Sequence, residues 1–132
     1  MEEKELLSLA RGIIENSYAP YSNFRVAAIV ETRSGKLYYG VNVENASYGL
    51  SICAERVAVF NAVTHGHRDI ENVYIFTESD QPVSPCGACR QVISEFNPKA
   101  TIVSYSLRTG DKVVWNLEDL LPHQFRLEDK SK

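Results

Sequence analysis

Cysteine appears three times in this chain, once in Cys53-Ala54-Glu55 and twice in Pro85-Cys86-Gly87-Ala88-Cys89, and that spacing is what a metal site carrying its own base would need. A C-x-x-C pair sets two thiols on neighbouring turns, where both reach one ion at Zn–S distances of about 2.3 Å. Cys53 supplies a third ligand and leaves a fourth position open, the mark of a catalytic zinc rather than a structural one closed by four protein ligands. Water in that position becomes a nucleophile near neutral pH. Glu55, two residues from Cys53, is placed to carry its protons. A dithiol redox pair and a structural zinc are the competing readings. The first predicts neither Cys-Ala-Glu nor the Ser-Pro before Cys86. The second needs a fourth ligand, and His65, His67 and His123 stand in no recognisable spacing with the cysteines.

Three thiolates, a zinc dication and a hydroxide sum to about −2, which weakens the metal as a Lewis acid. Arg56, next to the base, is the candidate to offset that charge by hydrogen-bonding the sulfurs, and helix N-termini at Cys53 and Cys86 favour thiolate there. Arg90, beside Cys89, is a second candidate.

These residues need elements to position them. Leu6, Leu7, Leu9, Ala10, Ile13 and Ile14 recur at helical spacing and predict an amphipathic helix ending near Asn16, which Pro20 prevents from continuing. Phe24–Glu31 and Leu37–Val43 read as the strands of a hairpin turning at Ser34-Gly35. Cys53–Thr64 reads as a largely buried helix closed by Gly66, and Val73–Phe76 as a short central strand. Ser84 is expected to cap the next helix, with Pro85 at its first position and Asn97-Pro98 at its end. Thr101–Ser106 and Lys112–Trp115 are two further strands, and Asn116 caps a last short helix. This order predicts a mixed five-stranded sheet covered by helices, with both metal-binding segments opening helices.

At 132 residues and 44% hydrophobic content the chain suits one domain, residues 1–132. A net charge of −3 and a pI near 5.6, with no Lys/Arg run, argue against nucleic acid as a partner. The acidic start, Met1-Glu2-Glu3-Lys4-Glu5, does not read as a signal peptide, and no stretch approaches membrane-spanning length. With unpaired thiols, this leads us to expect a cytoplasmic protein and no membrane partner.

Beyond the cysteines, the chain reads Ala19-Pro20-Tyr21-Ser22-Asn23-Phe24, then Asn42-Val43-Glu44-Asn45-Ala46-Ser47-Tyr48, then Ser84 through Gln91. In these segments it resembles the small, homotetrameric cytidine deaminases of the three-cysteine zinc type. The resemblance runs to about Phe125, and the tail beyond is expected to be flexible. It implies a three-layer α/β/α fold, one zinc per chain, and hydrolysis of cytidine and deoxycytidine to uridine and deoxyuridine with release of ammonia, a step of pyrimidine salvage. It further implies that Asn42 and Glu44 hold the ribose 3′-hydroxyl, that Phe24 lies at the pyrimidine, and that the Ala54 backbone and Ser84 carbonyl read the base edge. Ala46, Tyr48 and Phe125 match positions that, in tetrameric members, reach a neighbour's site. Ala27 stands where the family commonly has glycine. Blasticidin S deaminases share the metal elements, but Asn42-Val43-Glu44-Asn45 and Ala19-Pro20-Tyr21-Ser22 favour cytidine. A zinc-stabilised nucleic-acid-binding or editing module is the alternative from another class, and the acidic balance opposes it.

Overall fold

Residues 2–127 are described by the structure, a computed structural model. The expectation for the tail falls largely on residues 128–132, outside the described residues. Helix α1 (Glu3–Ile13) runs into a 3-10 turn at Ile14–Asn16 and buries Leu6, Ala10 and Ile14. Strands β1 (Val26–Thr32) and β2 (Leu37–Val41) form the hairpin, with Gly35 at φ 89°, a conformation that glycine adopts without a Cβ penalty. Helix α2 (Ala54–Thr64), strand β3 (Ile70–Thr77), helix α3 (Gly87–Phe96), strands β4 (Thr101–Ser106) and β5 (Lys112–Asn116) and the short helix α4 (Leu117–Leu120) complete the order.

The sheet order is β2-β1-β3-β4-β5. Among the described residues, β3 and β4 are the one pair of strands that run parallel; the other neighbours are antiparallel. Since β2 and β3 both run against β1, α2 is a crossover connection between two parallel strands, and α3 is another between β3 and β4. Parallel strands require such crossovers, and helices suit them.

Period-two alternation sends Ala27, Ile29, Phe76 and Val103 to the face covered by α1. Val26, Ala28, Val73, Ile75 and Ile102 go to the face covered by α2, α3 and α4. The three expected layers are therefore present. Along α2, Ala54, Ala58 and Ala62 recur every fourth residue and are fully buried, so the helix lies close to the sheet.

Sequence and structure differ at several edges. Strand β1 starts at Val26 and not Phe24, because Asn23 takes a left-handed φ of 57° and turns the chain just before it. Strand β2 ends at Val41, and Val43 retains only isolated bridges to Tyr18 and Ile52. Strand β3 outruns the expected Val73–Phe76 because β1 pairs along its whole length. Helix α3 is not capped by Ser84: Cys86 holds the N-cap position with φ −65° and ψ 166°, and Pro85 precedes the cap rather than following it. Asn116 occupies the expected N-cap of α4 but makes no side-chain capping bond.

Candidate active site

Both crossover helices start on the same side of the sheet, and their first residues carry the sulfurs. Cys53 is the N-cap of α2 and Cys86 the N-cap of α3, while Cys89 lies in the first turn of α3. Cys53 Sγ is 3.7 Å from Cys86 Sγ, which is 3.4 Å from Cys89 Sγ. All three sulfurs lie within 4.8 Å of one another. Three sulfurs bound at about 2.3 Å to a tetrahedral ion stand about 3.8 Å apart, so the donor set fits zinc in spacing as well as in chemistry. Among the described residues no histidine joins the cluster; His65 and His67 pack against Tyr38 instead.

The positive ends of two helices meet at these sulfurs, and Arg56 Nη2 donates to Cys53 Sγ at 3.6 Å. A hydrogen bond from Cys89, aided by those from Arg56 and Cys86 and by the Arg56 charge, lowers the Cys53 thiol to about 5 despite its burial. The same Cys53 interaction and burial push the Cys89 thiol up. Arg56 is raised in turn, first by its bond to Cys53. Arg90 does not reach the sulfurs. Its Nε donates to the Pro85 carbonyl at 2.8 Å, Nη1 to the Leu120 carbonyl at 2.9 Å and Nη2 to Ser84 Oγ at 3.2 Å. It ties the start of α3 to the end of α4.

Glu55, in the first turn of α2, is 5% exposed. Burial pushes its carboxyl up to about 7, and the negative Cys53 adds to the effect. A carboxyl in that range both takes and gives protons at neutral pH.

Glu55 opens on a cleft of about 450 Å³, whose lining also includes Phe24, Asn42, Glu44, Tyr48, Cys53, Arg56, Ser84 and Cys86. A cleft of similar size, about 470 Å³, lies beside the C-terminal end of α1 between Arg11, Glu15, Glu78 and Arg108, with no thiol near it. The structure thus gathers most of the expected site residues. Ala54, between Cys53 and Glu55 in the chain, is fully buried and does not line the cleft. Ala46 is exposed and does not line it. Phe125, 64% exposed, does not enter this cleft either; its carbonyl accepts from Gln91 Nε2 at 3.2 Å.

Asn42 and Glu44 do more than a polar strand end suggests. Asn42 Nδ2 donates to the Phe24 carbonyl at 2.8 Å, and its Oδ1 accepts from the Val26 N–H at 2.9 Å and from Ser17 Oγ. Glu44 Oε1 accepts from the backbone N–H of Tyr21 at 3.0 Å and of Ser22 at 3.1 Å, and Oε2 accepts from Ser22 Oγ. Those bonds, first the one from the Ser22 hydroxyl, hold the Glu44 carboxyl below the usual range. What the motifs alone do not single out is the apolar wall of Val26, Ile52, Ile75 and Val83. Its one sequence signal is position, since Ile52 and Val83 each precede a residue already marked.

Residues 1–105 match the family model described as the cytidine and deoxycytidylate deaminase zinc-binding region. A cytidine deaminase of Halalkalibacterium halodurans is 41% identical over 129 residues, covering 98% of each chain. One of Sporosarcina psychrophila is 39% identical over 131 residues, covering 99% of this chain and 96% of the relative. Among solved structures, the cytidine deaminase of Burkholderia pseudomallei superposes with a TM-score of 0.88 at 44% identity, covering 95% of this chain and all of the other.

Proposed function

Because the chain belongs to the cytidine and deoxycytidylate deaminase family, we propose that it hydrolyses cytidine and deoxycytidine to uridine and deoxyuridine, releasing ammonia. The observation that carries this reading is a buried carboxyl set between a three-sulfur cluster and a nucleoside-sized cleft.

Zinc held by Cys53, Cys86 and Cys89 supplies a Lewis acid that lowers the pKa of water towards about 7. The rest falls to this chain's own groups. Glu55 takes one proton from the attacking water and delivers it to N3 of the ring, then takes the second from the hydroxyl now on C4 and gives it to the amino group, which leaves as ammonia as C4 becomes a carbonyl. Arg56 holds the Cys53 thiolate and offsets the negative charge of the sulfurs. Phe24 and the apolar wall accept the flat pyrimidine and the Ser84 carbonyl reads its edge; the Ala54 backbone is assigned to the same edge by family resemblance alone.

Asn42 has one amide hydrogen left after its bond to Phe24, and Glu44 Oε2 has one lone pair left after its bond from Ser22. One spare donor and one spare acceptor suit a hydroxyl, which uses both, and we assign the pair to the ribose 3′-hydroxyl. Arg56 is the cleft's sole cation among the described residues, and it is engaged by Cys53. No cation is left for a phosphate, which favours a nucleoside over a nucleotide.

Phe125 and Ala46 lie away from this chain's own cleft, and Tyr48 stands 79% exposed at its mouth. These positions support a homotetramer in which neighbouring chains complete each site. We read residues 1–132 as one domain acting in pyrimidine salvage in the cytoplasm; among the described residues no helix is long and apolar enough to cross a membrane.

Ammonia release from cytidine, deoxycytidine, cytosine, their monophosphates and blasticidin S tests the substrate. Turnover of the two nucleosides alone is expected, and blasticidin S as the only substrate would overturn the reading. Phe125→Ala should raise KM about tenfold or more with zinc unchanged. A fully active monomer by light scattering would refute the shared site. Tight, salt-sensitive binding of single-stranded RNA would revive the nucleic-acid alternative.

A further inference from the structure

Gly40 lies in β2, opposite Ala28 of β1, and is buried beneath α2. A Cβ built there would stand 2.4 Å from the Ala58 nitrogen, 2.5 Å from the Ala54 carbonyl oxygen and 3.0 Å from the Val57 carbonyl carbon. All three are backbone atoms, so no side chain can swing aside to make room. Its φ is not among the positive ones, so the position demands space and not left-handed freedom. Gly12, Gly49 and Gly87 differ from it, with nothing within 4 Å of an added Cβ.

The atoms that Gly40 meets belong to the first turn of α2. Ala54 O and Ala58 N stand four residues apart, the spacing of a helical hydrogen bond, and the Ala54 carbonyl is part of the peptide unit joining Ala54 to Glu55. Cys53 precedes that unit by one residue. A second tie joins the same strand and helix, since Asn61 Nδ2 donates to the Tyr39 carbonyl at 3.2 Å. Relieving a 2.4–2.5 Å contact to ordinary van der Waals distance needs a movement of about 1 Å, a displacement that can cost about 10²-fold when it misplaces catalytic groups.

We infer that Gly40 is a positioning residue for the metal centre: by letting β2 touch the backbone of α2, with Asn61 as the second tie, it sets where Cys53 and Glu55 stand relative to Cys86 and Cys89. This rests on the reading of those residues as one zinc site. The position therefore belongs to the active site although it touches neither sulfur nor cleft.

Cobalt(II) titration of the full chain tests it, because thiolate-to-cobalt bands report the arrangement of the sulfurs directly. Gly40→Ala should bind cobalt at least about tenfold more weakly, with displaced d–d bands, and turn over about 10²-fold more slowly. Two controls separate this from lost stability. Gly12→Ala should match the parent, and Leu6→Ala, in the core beneath α1, should lower Tm yet keep the parent cobalt spectrum. Parent-like affinity and spectrum in Gly40→Ala would overturn the inference. Should Gly40→Ala not fold, Asn61→Ala decides: about fivefold weaker cobalt binding supports the strand-to-helix tie, and an unchanged titration overturns it. A parent that binds no cobalt removes the zinc reading itself, a different failure seen before any variant is compared.

Discussion

On the face of the sheet beneath α1, Ile29, Phe76 and Val103 meet Leu6, Ala10 and Ile14, and polar groups keep to the rim, where Glu3 accepts from Tyr105 and Lys112. On the opposite face, α2 meets the sheet through Ala54, Ala58 and Ala62, and the helix starts bring three thiols and a buried carboxyl together. The described residues contain two buried side-chain polar atoms without a hydrogen-bond partner, Arg56 Nε and Ser104 Oγ. Ser104 alternates with Val103 and shares this second face, while Arg56 belongs to α2. One face is thus spent on stability, and the other holds groups whose close approach costs stability. The same strands serve both because successive side chains alternate between them.

Substitutions on the two faces should therefore fail in different ways. Cys89→Ala should abolish metal content and activity together, read by elemental analysis and ammonia release; an active, zinc-free enzyme with a Cys86–Cys89 disulfide would end the metal reading. Glu55→Ala should keep its zinc and its fold yet lose more turnover than the roughly 10²–10⁴-fold typical of one acid-base group, since the proposed shuttle makes several proton transfers. Activity within about tenfold of the parent would reject the shuttle.

Leu6→Ala probes the other face. It should cost about 2–5 kcal/mol in denaturant unfolding, with kcat per folded molecule within about twofold. A larger kinetic effect would mean that the two faces are not separable. Glu3 gives the smallest effect. Its carboxyl is lowered from 4.5, first by the hydrogen bond from Lys112 and then by that from Tyr105. A lowered folded pKa gives a contribution that is full above the unfolded value and lost as pH falls through the folded one. The Tm difference between parent and Glu3→Gln should therefore be present at neutral pH and shrink as the pH is lowered below 4.5. A difference independent of pH would reject the ionic contact.

The sequence made the three-cysteine cluster legible, with Glu55 beside it, because thiol chemistry is spelled by residue type and local spacing. It marked Leu6, Ala10 and Ile14 as a buried stripe because helical periodicity is also local. What escaped it was set by partners distant in the chain. Asn42 orders the start of β1 by bonding Phe24 and Val26, 18 and 16 positions away. Arg90, read as a possible partner for sulfur, reaches across 30 positions to Leu120. Ser84 has the chemistry of a cap, yet α3 begins two residues further on, where both cysteines face Cys53. Gly40 carries no signal in the sequence, since nothing local announces a helix backbone passing over it.

The sulfurs of Cys53 and Cys86 touch although they are 33 positions apart, with α2 and β3 between them. An ion bound to both closes that stretch into a ring, and closing a loop of this length costs a free chain on the order of 3 kcal/mol. In the native state that closure is already made by the crossovers, so the ion finds its ligands gathered, whereas an unfolded chain offers it the C-x-x-C pair alone. Metal supply then governs how long the chain survives as well as whether it works. Under zinc scarcity the population shifts towards open forms, and those are the forms that proteases cut.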